Sequence, residues 1–276
     1  MAINHTHFLR TLYLIGLFML VLHMLSGTPP AHGGQQTDPP WQRCLNEKNP
    51  LRANCFRDAS QLRSAVHYCE QFLDDPAISP QRLQQLAYLH YRLGWLYASE
   101  DEKKDHYLQY FHYAKLASQA QPDNYQSAVL LAGAKAKLAG YLAAGDKVRL
   151  ARELNQELKK LLAREKNDPD TLYILSWLNF KVGRVSHLQK LLASLLFGGL
   201  PEGLSVDRGF ESLQKAIQLR PQYIVYQFDL GLYYQLTGDT IRATVQFNKV
   251  RSMQPESSEG VLYQRKLSYP LRTKKI

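Results

Sequence analysis

Cysteine, glycine and proline are scarce in this chain, with 3, 16 and 13 among 276 residues. So few cysteines exclude a disulfide-built scaffold, and so little glycine and proline excludes collagen-like and low-complexity classes. Strand-like alternation of apolar and polar residues is almost missing after Asp58; apolar residues recur instead at three- and four-residue steps, which argues for helices throughout. Catalytic signatures are missing as well. There is no Gly-x-Ser-x-Gly, no His-Glu-x-x-His and no paired-cysteine metal motif. The glycine-rich "LFGGLPEG" has neither the strand nor the Lys-Ser/Thr of a phosphate-binding loop. His67, His90, His106, His112 and His187 fall in different helical patterns, and His106 and His112 are not at the i, i+4 spacing that shares a metal. We therefore expect a non-catalytic protein with no cofactor and no metal.

Acidic residues are outnumbered, 24 against 34 basic, for a formal net charge of +10. The basic residues are scattered and no nucleic-acid-binding module accompanies them, so nucleic acid is not an expected partner. The one dense cluster is the tail "QRKLSYPLRTKKI", read as a basic segment over 261–276 that makes weak contact with an anionic membrane surface.

Residues 1–33 have the layout of a secretory signal peptide: Arg10, an apolar run from Leu12 to Leu25 broken only by His23, then small and turn-forming residues. The same run also fits an uncleaved anchor, although it is shorter than the about 20 residues that usually span a bilayer. Either reading places the rest of the chain outside the cytoplasm, as a periplasmic, secreted or membrane-tethered protein. Cysteines cluster in and just after the next segment, 34–57. Where the compartment is oxidising, Cys44 and Cys55 are the expected pair, while Cys69 lies on a helical pattern as a buried thiol.

From 58 to 260 the chain reads as a ladder of helical hairpins. Ser79-Pro80 and Asp168-Pro169 each place a capping side chain before a proline at the first helical position. Gly238-Asp239 ends one helix and caps the next. In the last clear hairpin, Leu230, Gly231, Tyr234, Ala243, Phe247, Val250 and Pro255 stand at tetratricopeptide-repeat offsets, and Pro221 and Pro255 are one 34-residue repeat apart. Leu93-Gly94 with Ala114, Ala117 and Pro122 form an earlier unit. Leu213, Ala216 and Pro221 close another. That unit carries a surplus over residues 184–205, read as an extra packed helix near 184–198 followed by the loop "GLPEG". The expected fold is all-α, a tetratricopeptide-like solenoid with one inserted helix.

The order "LYILSWLNFKVG", "HLQKLLASLLFGGLPEGLSVDRGFESLQKAIQLRPQY" and "LGLYYQLTGD" resembles the regulator of microtubule dynamics family and its bacterial relatives, over roughly residues 80 to 260. The inserted helix with "LFGGLPEG" is the most specific part. The resemblance implies an all-helical superhelix without a catalytic centre. We carry over its architecture and a role in protein interaction, and no functional residues, because this chain opens on an export signal.

A solenoid presents the first helices of its repeats on a concave surface. Counting from the small-residue positions puts Tyr88, Tyr91, Trp95, Tyr173, Phe180, Phe228 and Gln235 there, with Arg92, Lys135 and Lys137 at the rim. Aromatic residues so placed are good interface anchors. Packing against neighbouring helices is the competing reading for each. The function expected is an envelope adaptor that binds another protein in this aromatic-lined groove. The alternative is an envelope enzyme, or a binder of a small ligand or polymer, with a site near the inserted helix.

Overall fold

The computed structural model describes residues 59–73, 78–255 and 258–268. The expected signal peptide, the Cys44 and Cys55 pair and the end of the tail lie outside the described residues. Eleven α-helices make up the described part: α1 (Ala59–Glu70), α2 (Pro80–Arg92), α3 (Glu100–Ala120), α4 (Tyr125–Leu138), α5 (Ala144–Arg164), α6 (Pro169–Gly183), α7 (His187–Phe197), α8 (Val206–Leu219), α9 (Ile224–Leu236), α10 (Thr240–Ser252) and α11 (Ser258–Ser268). They stack as hairpins, α2 on α3, α4 on α5, α6 on α8 and α9 on α10, with α11 packed on α9 and α10. The chain is thus the all-α, tetratricopeptide-like solenoid expected.

The caps explain where the helices begin. Ser79 Oγ accepts from the Arg82 N–H at 3.2 Å, Asp168 from Thr171 at 2.7 Å and Asp239 from Arg242 at 2.9 Å. Ser99 and Glu102 form a reciprocal capping box at α3, and Ser186 and Gln189 do the same at α7. Each cap satisfies backbone donors that a helix start leaves without an internal partner.

Small residues set how closely the hairpins approach. At Gly231 a Cβ would lie 2.4 Å from the Phe247 ring, and at Gly94 it would lie 3.0 Å from His106 and Tyr107. Gly183 is tighter still, because a Cβ there would meet the backbone of Val206 at 2.4 Å and of Ser205 at 2.6 Å. These contacts bring α9 against α10, the end of α2 against α3, and the end of α6 against the start of α8.

Helix α2 ends in a π-helical turn, Leu93–Tyr97, closed by the Ala98 N–H on the Leu93 carbonyl at 2.9 Å. This turn sets Gly94 against α3 while Trp95 meets α11. The stretch "LFGGLPEG" stops α7 at Gly198, whose φ of 76° is the left-handed conformation that glycine adopts without penalty. Gly199 then donates to the Ala193 carbonyl at 3.0 Å.

Two expectations need correction. Inserted helix α7 is present but scarcely packed: Ala193 is its one buried residue, since the helix rests on α5 through small and terminal contacts. The basic tail expected from 261 does not begin as a tail. Helix α11 runs across that boundary, and Tyr263 and Leu267 are buried in the core of the last hairpin.

Candidate functional site

The inner face of the array is formed by α2, α4, α6 and α9, and α11 lies across it. Its polar floor is assembled from tyrosines and three carboxylates, of which Glu259 is buried and Asp170 and Asp229 are half-buried. Tyr173, from α6, donates to Asp229 of α9 at 2.5 Å. Tyr226 donates to Asp170 at 2.6 Å, and Arg220 pairs with the same carboxylate at 2.8 Å. Tyr91 and Tyr223 both donate to Glu259 of α11, at 3.4 and 3.2 Å. The rings form two groups: Tyr173 stacks on Tyr226 at 4.9 Å and Tyr223 meets Tyr226 edge-on at 4.6 Å, while Tyr91 lies tilted between Tyr88 and Tyr110.

Three half-buried lysines lie beside this floor. The ammonium groups of Lys137 and Lys266 each lie 4.2 Å from the centre of the Trp95 ring, so they are no more than twice that distance apart. This geometry is favourable for a cation over an indole. Burial lowers the Lys137 pKa against the pull of Asp229 and Glu259, and the charge of Lys181, from the end of α6, adds to that lowering. Among the described residues none of these three lysines makes an ion pair.

Electrostatics follow from burial. Loss of hydration pushes the Asp229 and Glu259 carboxyls up, opposed by the Tyr173 hydrogen bond and Lys137 at Asp229 and by Arg92 at Glu259. The same cause pushes Lys137, Lys181 and Lys266 down, helped by neighbouring positive charge. An incoming carboxylate or other anion beside these lysines would favour their charged form and oppose the lowering that burial causes.

The structure sorts the residues expected at the groove. Tyr91, Trp95 and Tyr173 are half-buried on the inner face, and Gln235 is half-buried at the end of α9. Tyr88, Phe180 and Phe228 are buried. Phe180 stacks on Tyr233 at 3.7 Å between α6 and α9, and Phe228 packs edge-on to Tyr263. Arg92, placed at the rim by sequence, is only 1 % exposed; its guanidinium lies over the Tyr88 ring and beside Glu259. Lys135 is bound by Glu157 and faces away from Lys137.

Helix α11 covers much of the aromatic surface. Tyr263 sits between Trp95 and Phe228, at 5.9 and 4.8 Å. Sequence reasoning missed Lys181, Asp229, Glu259, Tyr263 and Lys266. For Lys181 and Asp229 the signal available was a charge on an otherwise apolar first helix, where it has no packing role; the three residues of α11 gave no such local signal.

Comparison with known proteins agrees with this architecture. A sequence profile of the family described as regulator of microtubule dynamics protein 1-3 matches residues 51–273. Among solved structures, the tetratricopeptide-repeat protein TTC0263 of Thermus thermophilus is similar with a TM-score of 0.52 and 17 % identity, covering 83 % of this chain and 100 % of its own. MamA of Desulfovibrio magneticus RS-1 aligns with a TM-score of 0.41 and 17 % identity, over 76 % of this chain and 88 % of its own. No curated protein sequence matches. The profile spans all of the described residues, including the inserted helix with its glycine loop, and the chain belongs to the regulator of microtubule dynamics protein 1-3 family.

Proposed function

We propose that this protein is a non-catalytic adaptor of the cell envelope that receives another protein on its inner face. The observation that carries the reading is the way α11 already lies there. A helix seats an aromatic side chain, Tyr263, against Trp95 and a carboxylate, Glu259, against two tyrosine hydroxyls. A partner segment that places acidic groups opposite Lys137 and Lys181 uses the same chemistry beside α11. The envelope location rests on the export-signal pattern of residues 1–33, and the interaction role is in keeping with a solenoid that exposes one long face.

Cross-linking of the tagged full-length protein in its native envelope, followed by identification of stoichiometric companions, tests this. One recurring protein should be recovered, and its yield should fall about tenfold, the equivalent of roughly 1.4 kcal/mol, in the Lys137→Ala, Lys181→Ala double variant. Recovery of no protein, or equal recovery with the variant, contradicts the proposal.

A further inference from the structure

The inserted helix α7 has its amphipathic pattern turned outward. Leu188, Leu191, Leu192, Leu195 and Leu196 recur at i, i+3, i+4, i+7 and i+8, the stripe that a surface helix ordinarily lays on its core. Here Leu195 is 72 % exposed and Leu188 and Leu196 are each 66 % exposed, while Ala193 on the opposite side is what touches the array. Contiguous apolar surface of this kind marks an interaction site.

We propose that α7 is a membrane-docking element that lies in the headgroup region of an anionic bilayer. Charge selects this occupant. No acidic residue occurs between Asp170 and Glu202, whereas Arg184, His187 and Lys190 lead into and through the helix. Helix α5, on which α7 rests, carries Asp146 and Glu153 nearby, and Arg149 engages both, at 2.6 and 4.0 Å. A basic border around an apolar stripe suits anionic lipid, which takes the leucines into its acyl boundary and the cations at its headgroups.

A second copy of the chain suits it less. Five partly covered leucines on one short helix fall below the roughly 1,200–2,000 Å² that stable interfaces bury, and pairing two such faces brings like charges together. Spanning is excluded for this helix by length. Its 11 residues reach about 16 Å, against about 30 Å of hydrocarbon.

Hydrogen exchange of the full-length protein reads this helix separately from the N-terminal apolar run. With vesicles of phosphatidylcholine and phosphatidylglycerol, amides of 187–197 should exchange at least about fivefold more slowly than in buffer, and high salt should weaken the effect. Vesicles of phosphatidylcholine alone should protect less. In the Leu191→Gln, Leu195→Gln variant, whose changes are at exposed sites, protection should vanish while exchange in α6 and α9 stays as in the wild type. Three results overturn the proposal: no protection by anionic vesicles, equal protection in the variant, or protection without vesicles that tracks a concentration-dependent dimer in sedimentation.

Discussion

Single residues decide how closely the hairpins of this array approach. Gly183 is the most constrained, since the atoms a Cβ would meet are backbone of the next helix and cannot rotate away. Gly183→Ala should lower stability to urea by about 2 kcal/mol or more, whereas Gly140→Ala, with open space around it, should change it by less than about 1 kcal/mol. His90 sets a second expectation. Its ring is buried against His106 at 3.2 Å and stacked on Tyr113, with the Glu70 carboxylate 4.0 Å away, and burial followed by the His106 charge lowers its pKa to about 4. The unfolded chain therefore takes up this proton first. The contribution of His90 is fully present above about pH 6.5 and is lost as pH falls toward 4. Asp229 and Glu259, held above their ordinary values, act in the opposite sense, their contribution fading as pH rises through those raised values. Thermal melting of the wild type and of His90→Phe across pH 7 to 4 isolates the histidine. The variant should lose less stability on acidification, and parallel curves would show that His90 does not carry the effect.

Among the elements, those with local signals were legible in the sequence. The caps at Ser79, Asp168 and Asp239 stand where the residues placed them, because a cap is a contact over three positions. The inserted helix was legible too, through its period and its terminal glycine. Its packing was not, because periodicity reports that a helix has an apolar stripe and says nothing of whether the array or something else covers it. Helix α11 was read as tail for a related reason. What holds it is Tyr91, 168 positions away from Glu259, together with Trp95 and Phe228, and no local pattern encodes such a contact. The same long-range packing hid the burial of Tyr88, Arg92 and Phe228. It also changes what substitutions on this face report. Tyr263→Ala should cost about 3–5 kcal/mol in urea denaturation, because a fully buried ring is removed between two others. A loss under about 1 kcal/mol would mean that α11 is held in some other way.

At the scale of the whole molecule, the protein combines a repeat scaffold, a net charge of +10 and an inner face with three lysines that lack ion-pair partners among the described residues. Repeat stacking explains the fold and not the lysines, since Lys137 lies among Trp95, Tyr91 and buried helices where an apolar residue would pack better. Retaining cations there is consistent with an acidic partner segment on the inner face, beside α11. Because Tyr91 and Trp95 also hold α11, their replacement would mix binding with stability; Lys137 and Lys181 separate the two. The most direct measurement is photo-cross-linking in the intact cell with a photoreactive residue replacing Lys181, and a second replacing exposed Lys166, just past the end of α5, as control. The adaptor account predicts a single cross-linked polypeptide from position 181 and none from 166. No adduct at 181, or the same products from both positions, would contradict it.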